Sequence, residues 1–143
     1  MKIEYHTGDL FQCSETIICH GCNARGKMGS GVAKIIRERF PEAYHYYTHE
    51  HQEFGLKLGE IYCIETNEKI IINAITQAGY GYDGKQYTSY KAIESCVRQM
   101  SKKYHGQRIA MPMIGAGLGG GDWDVISQII EEDSTFQPVV YKL

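Results

Sequence analysis

Arg108-Ile109-Ala110-Met111-Pro112-Met113-Ile114-Gly115-Ala116-Gly117-Leu118-Gly119-Gly120-Gly121-Asp122-Trp123 decides the fold. It reads as a strand over Arg108–Ile114, a glycine cluster, and a helix running from Asp122 or Trp123 to about Glu132. Five of the seven residues from Gly115 to Gly121 are glycine. The same order occurs earlier in the chain. Thr16-Ile17-Ile18-Cys19-His20 is a short apolar run, β-branched at its start, and reads as a buried strand. Residues 21–31 then hold four glycines and read as a loop. Val32, Ile35, Ile36 and Phe40 form a helical face after it. Two loops thus share one context: strand, glycine cluster, helix.

Working outward, residues 2–7 alternate and read as a strand. Pro41 ends the first helix or opens the next, and residues 42–54 carry an aromatic stripe at Tyr44, Tyr47 and His51. Gly59–Glu65 and Lys69–Thr76 read as strands joined by a turn at Thr66-Asn67-Glu68. Residues 77–86 form a glycine-rich loop with Tyr80 and Tyr82. A helix over 88–104 follows, with Thr88 or Ser89 as N-cap, and the last strand is 136–142. The order β β α α β β α β α β predicts an α/β fold, a mixed sheet sandwiched between helices, as one domain over residues 1–143. Ligands of such sheets bind at the carboxyl ends of the strands.

Composition narrows the class. The chain has 143 residues, 43% apolar and 22% charged, with a formal net charge of -2. That is a soluble globular profile. Near-neutral charge and the lack of a basic stripe argue against RNA binding through a phosphate-neutralising surface. No apolar run approaches the ~18–20 residues that span a bilayer, and the polar N-terminus is unlike a signal peptide. Five scattered cysteines, an odd number, read as reduced thiols of a cytoplasmic protein. Cys19 and Cys22 form a lone pair with no second pair for zinc, and both read as packing or loop residues. His45, His49 and His51 have metal-like spacing but lie on what reads as an amphipathic surface helix, so no metal site is expected. Trp123 reads as a packing anchor.

Glycine lets backbone N–H groups approach a ligand without a Cβ clash, and the following helix adds a partial positive charge at its N-terminus. Two such loops facing each other would cradle a diphosphate. Neither is a phosphate loop ending in Gly-Lys-Ser/Thr, and neither carries the dinucleotide-binding fingerprint with its following acid. Lys27, inside the first loop, reads either as a phosphate-neutralising group or as a lysine facing water.

Thr7-Gly8-Asp9-Leu10, the segment His20-Gly21-Cys22-Asn23, Lys27-Met28-Gly29-Ser30-Gly31-Val32-Ala33, and Met111-Pro112-Met113-Ile114-Gly115-Ala116-Gly117-Leu118 together resemble a macro domain. The resemblance extends over essentially the whole chain. It is nearest to the small stand-alone type that processes ADP-ribose 1''-phosphate. It implies a three-layer α/β/α sandwich with a central mixed sheet that binds an ADP-ribose derivative in a cleft, without a cofactor. It further implies that Asp9, with Leu10 beside it, accepts from the adenine amino group; without the family, Asp9 reads as a turn cap. Gly29, Ser30, Gly31 and Val32 would line one side of the diphosphate. Gly115, Ala116, Gly117, Leu118 and Gly119 would line the other, and Asn23 would lie near the distal ribose.

Two residues are candidates for catalysis. His20 ends a strand at the first loop, and phosphatases of this type carry a matching His-x-Cys-Asn histidine implicated in activity. Imidazole can serve as a general base or a nucleophile near neutrality; the alternative is a strand-end histidine that only hydrogen-bonds. Asp122 could hold a water near a terminal phosphate, or cap the helix that follows it. Glycohydrolases acting on ADP-ribosyl-glutamate use a lysine and an aspartate where this chain has Gln77 and Gly119, and glutamine cannot form a lysine-type adduct. Lys85 lies eight residues beyond Gln77. Tyr80 and Tyr82 of the 77–86 loop read either as a cover for the distal ribose or as loop aromatics that are exposed or packed on the sheet edge. The activities in contention are therefore an ADP-ribose 1''-phosphate phosphatase, a glycohydrolase freeing ADP-ribose from protein or nucleic acid, and a binding module without turnover. The expected state is a monomer with no membrane association.

Overall fold

The computed structural model describes residues 1–142. Its strands are β1 (Glu4–Thr7), β2 (Ile17–Asn23), β3 (Ile61–Glu65), β4 (Ile70–Gln77), β5 (Arg108–Met111) and β6 (Gln137–Lys142). Its helices are α1 (Gly31–Arg39), α2 (Pro41–Phe54), α3 (Tyr90–Lys103) and α4 (Trp123–Asp133), with one 3-10 turn at Leu10–Gln12. The sheet order is β1-β6-β5-β2-β4-β3. Every neighbouring pair is parallel except the β3–β4 hairpin. The mixed α/β sheet expected from the element order is present.

Alternation along the central strands makes the two layers. Ile18, Ile71 and Ala110 face α1 and α2, where Ile36 and Ala43 cover them. Ile17, Cys19, Ile72 and Ile109 face α3 and α4, where Ile93, Val97, Ile126 and Ile130 cover them. Side chains of period two on a sheet buried on both faces give this division.

Boundaries move for local reasons. β2 runs on to Asn23, three residues past its expected end, because it is bonded to β4 through Gln77. β5 stops at Met111, short of Ile114, because Pro112 has no N–H to continue a ladder. Pro41 sits in the first turn of α2, opening that helix after Phe40. Ser89 caps α3, its side chain accepting from Ala92 N at 3.1 Å. The parallel strands β2, β4 and β5 point their carboxyl ends the same way, and the glycine loops leave from β2 and β5.

Candidate functional site

Both glycine loops line one cavity of about 910 Å³ at the carboxyl ends of β2, β4 and β5. That is near the top of the range of roughly 300–1,000 Å³ typical of small-molecule sites. One wall is Met28 to Ala33, the other Pro112 to Gly119. Gly21, Thr76 and Gln77 lie between them, and Tyr80, Gly81 and Tyr82 border the opening. The loops approach each other at Leu118, whose Cδ1 is 4.0 Å from the position a Cβ would take on Gly31.

Several donors of these loops are unspent, although Ala116 N is bonded to Met113 O. Gly120 N and Gly121 N are bonded within the second loop, to Gly117 O and Gly115 O. Gly117, Leu118 and Gly119 donate no N–H bond to any described residue. The same holds for Gly29, Ser30 and Gly31 on the opposite wall. A helix start usually has a side chain that satisfies its first N–H groups. Ser30 holds the N-cap position of α1 but makes no cap hydrogen bond. Its Oγ instead accepts from Tyr82 Oη at 3.0 Å, across the mouth of the cavity. The N-terminus of α1 is therefore left free to meet an anion.

Charge agrees with that. Lys27 and Arg37 are the charged residues that line the cavity, and no aspartate or glutamate does, among the described residues. Arg37 stacks over Tyr44, its guanidinium 4.3 Å from the ring centroid.

Asn23 is held in place from several sides. Its Oδ1 accepts from Arg25 N at 3.0 Å, Lys27 N at 3.3 Å and Tyr47 Oη at 3.1 Å. Its Nδ2 donates to Lys27 O at 2.8 Å. The fully buried Tyr47 of α2 also donates to Asn23 O at 2.5 Å. The whole turn after β2 hangs on these bonds.

Two expectations for catalysis meet a different geometry. His20 is 1% exposed and does not line the cavity. It follows Ile18 on the α1–α2 face of the sheet, so its ring points into the layer beneath. There its Nε2 donates to Asn73 Oδ1 at 2.6 Å, and Asn73 Nδ2 donates to Ala43 O at 3.2 Å. Burial pushes the imidazole down to about 4. A sealed, neutral histidine bonded to an amide cannot reach a ligand above the sheet. Asp122 takes its other reading: it is the N-cap of α4, its carboxylate accepting from Asp124 N at 2.9 Å, and it does not line the cavity.

Asp9 caps the 3-10 turn, accepting from Phe11 N at 2.9 Å. Asp9 and Leu10 do not line the cavity themselves. Leu10 is buried in the cluster against which Val32 packs, so the pair abuts the Val32 end. Asn23, Gly29, Ser30, Gly31, Val32, Gly115, Ala116, Gly117, Leu118 and Gly119 all line it. Lys85 does not; its ammonium lies 3.8 Å from Asp83. No group of three or more metal-binding side chains occurs among the described residues.

The sequence reading missed Arg37, Pro112, Met113 and Thr76 as lining residues. Arg37 was findable, since it lies four residues after Ala33 on one helical face. Pro112 and Met113 fall inside the strand expected over Arg108–Ile114, whereas β5 ends at Met111 and frees them for the wall.

A parallel-sheet cleft with free main-chain donors on two facing glycine loops, and only positive charge on its walls, defines an α/β domain built for an anionic ligand. The Macro domain family model matches residues 19–130, and the chain belongs to that family. It is 26% identical to an ADP-ribose 1''-phosphate phosphatase of Candida albicans, over 97% of this chain and 98% of that one. It is 25% identical to a DNA ADP-ribosyl glycohydrolase of Mycobacterium tuberculosis, over 88% of this chain but 37% of that protein. Among solved structures, the macrodomain of Thermus aquaticus DarG superposes with a TM-score of 0.84 at 22% identity, over 99% of this chain and 98% of that one.

Proposed function

We propose that the chain binds ADP-ribose in this cavity and hydrolyses ADP-ribose 1''-phosphate to ADP-ribose and phosphate. The observation that carries the reading is the pair of facing loops with unspent N–H groups. The end-to-end match to a phosphatase of that specificity supports it. The diphosphate lies between Gly29–Val32 and Gly115–Gly119. Adenine lies toward Val32, with Asp9 accepting from its amino group; Phe11 N engages Oδ1, and a carboxylate has acceptor capacity to spare. The distal ribose lies toward Asn23 and Gln77, bordered by Tyr80 and Tyr82.

Water attacks phosphorus, the bond from phosphorus to the 1''-oxygen breaks, and that oxygen leaves as the hydroxyl of ADP-ribose. No carboxylate lines the cavity among the described residues, so acceleration rests on preorganised donors. Main-chain N–H groups and Lys27 stabilise charge developing on the phosphoryl oxygens. His20 acts at one remove, by fixing β2 against β4. The partner is the small molecule itself, taken by a single chain. All five cysteines are free, which supports a reducing, cytoplasmic setting. No helix among the described residues is long and apolar enough to cross a membrane.

The second reading, a glycohydrolase acting on ADP-ribosylated macromolecules, is favoured by the glycohydrolase relative. Phosphorus NMR of the protein incubated with ADP-ribose 1''-phosphate separates the two. Inorganic phosphate is expected; its absence, with ADP-ribose still bound, would leave the glycohydrolase or a silent binding module. Gly117 has no atom within 4 Å of its would-be Cβ. Gly117→Glu should therefore fold normally and lose ADP-ribose binding by at least 100-fold in calorimetry, through bulk and repulsion of the diphosphate, on the order of 3 kcal/mol. Unchanged affinity would remove the diphosphate from this cradle.

A further inference from the structure

Beneath both loops sits a polar group that neither of them uses. Thr76 is fully buried, yet it lines the cavity. Its carbonyl accepts from Ser89 N at 2.8 Å, but its hydroxyl Oγ1 has no hydrogen-bond partner among the described residues. Folded proteins leave few buried hydroxyls unpaired, because each costs the desolvation of the group. One other buried side-chain atom shares that condition, His51 Nδ1, and His51 does not line the cavity.

The sheet is shaped around this hydroxyl. Cys22 pairs with Ile75 and Asn23 with Gln77, so the register slips at Thr76 and leaves it no partner residue on β2. Such irregularities re-aim side chains and occur beside binding sites. Across from it is Gly21, where a Cβ would fall 2.8 Å from Thr76 Oγ1. A side chain at 21 would press directly on the hydroxyl, and glycine there does not. Asn23 and Gln77, the register pair just beyond the slip, mark the end of the cavity to which the distal ribose is assigned.

We propose that Thr76 Oγ1 is a binding group for the distal ribose, hydrogen-bonding a ribose oxygen that lies over Gly21. The inference rests on the ADP-ribose reading. It also makes Thr76 a specificity residue: it distinguishes ADP-ribose from ADP, which shares the adenine and the diphosphate but lacks the second ribose.

The test is calorimetric titration of ADP-ribose and of ADP into the wild type, Thr76→Val and Thr76→Ser, with thermal unfolding of each unliganded protein. Valine keeps the shape and removes the hydroxyl. The expected result is a loss of roughly 10-fold in ADP-ribose affinity for Thr76→Val, as for one neutral hydrogen bond, with ADP affinity unchanged. Thr76→Ser should hold ADP-ribose within about threefold of wild type, since it restores the donor. The melting temperature of Thr76→Val should equal or exceed that of the wild type, because the hydroxyl is unpaired in the unliganded fold. Wild-type affinity for ADP-ribose in Thr76→Val, an equal loss for ADP, or a lowered melting temperature would overturn the assignment. A wild type that binds ADP and not ADP-ribose would overturn the functional reading itself. Tight wild-type binding with an indifferent Thr76→Val would overturn the inference alone.

Discussion

Burying His20 turns its ring into a strut with a pH limit. Its folded-state value is pushed by burial to about 4, against 6.5 when unperturbed. The unfolded chain therefore takes up the proton first as pH falls. Stability tied to this group is whole above pH 6.5 and is lost progressively toward pH 4, up to about 3 kcal/mol. Urea midpoints measured between pH 7.5 and 4.5 should drop across that window, and His20→Gln should flatten that part of the profile. A midpoint in the wild type that is level through pH 5 would contradict the burial argument. The residue type was legible in the sequence, and so was its place at a strand end. Its direction was readable too: counting by twos from the core residue Ile18 puts His20 on the α1–α2 face. Thr76 was not readable at all, since a slip in register leaves no mark in composition.

At the level of elements, the second glycine loop is built by two different demands. Gly117 is open to the cavity, whereas Gly120 has φ +71° and a would-be Cβ 2.5 Å from Lys85 O. The first position keeps the cavity wall open, and the second lets the loop dock against the segment before α3. Tyr87 N and Thr88 N close that docking by donating to Gly119 O at 2.7 and 3.0 Å. At the end of the loop, Asp122 starts α4. Asp122→Ala should cost about 1 kcal/mol in chemical denaturation, as other lost caps do, while ADP-ribose affinity stays within twofold. A loss of turnover with no loss of stability would return Asp122 to the chemistry. Elements were the most legible scale, because periodicity, caps and glycine clusters are local signals. Strand ends were less so: Pro112 stops β5 through a missing donor, and Asn23 extends β2 through a partner 54 positions away at Gln77.

For the whole molecule, the alternation of strands and helices foretold the layered class, but not the strand order, which depends on contacts between distant segments. The net charge of -2 bears on partners at this scale. Binding to single-stranded polynucleotide should be undetectable at 150 mM salt by fluorescence anisotropy, since a chain of net charge -2 gains little from counterion release. Steeply salt-dependent binding would revive the RNA reading. The hydrogen bond from Tyr82 to Ser30 has a kinetic side. Tyr82 is 69% exposed and sits in a loop, so the bond is cheap to break, yet while made it clasps the 77–86 loop to Ser30 on the first wall. A ligand longer than the gap must wait for that clasp to part, both on arrival and on departure. Tyr82→Phe, followed by stopped-flow fluorescence, should raise the association and dissociation rates together by about the same factor. The ratio of the two rates, and so the dissociation constant, should stay nearly fixed, so the clasp sets how long a visitor stays without setting how strongly it is preferred.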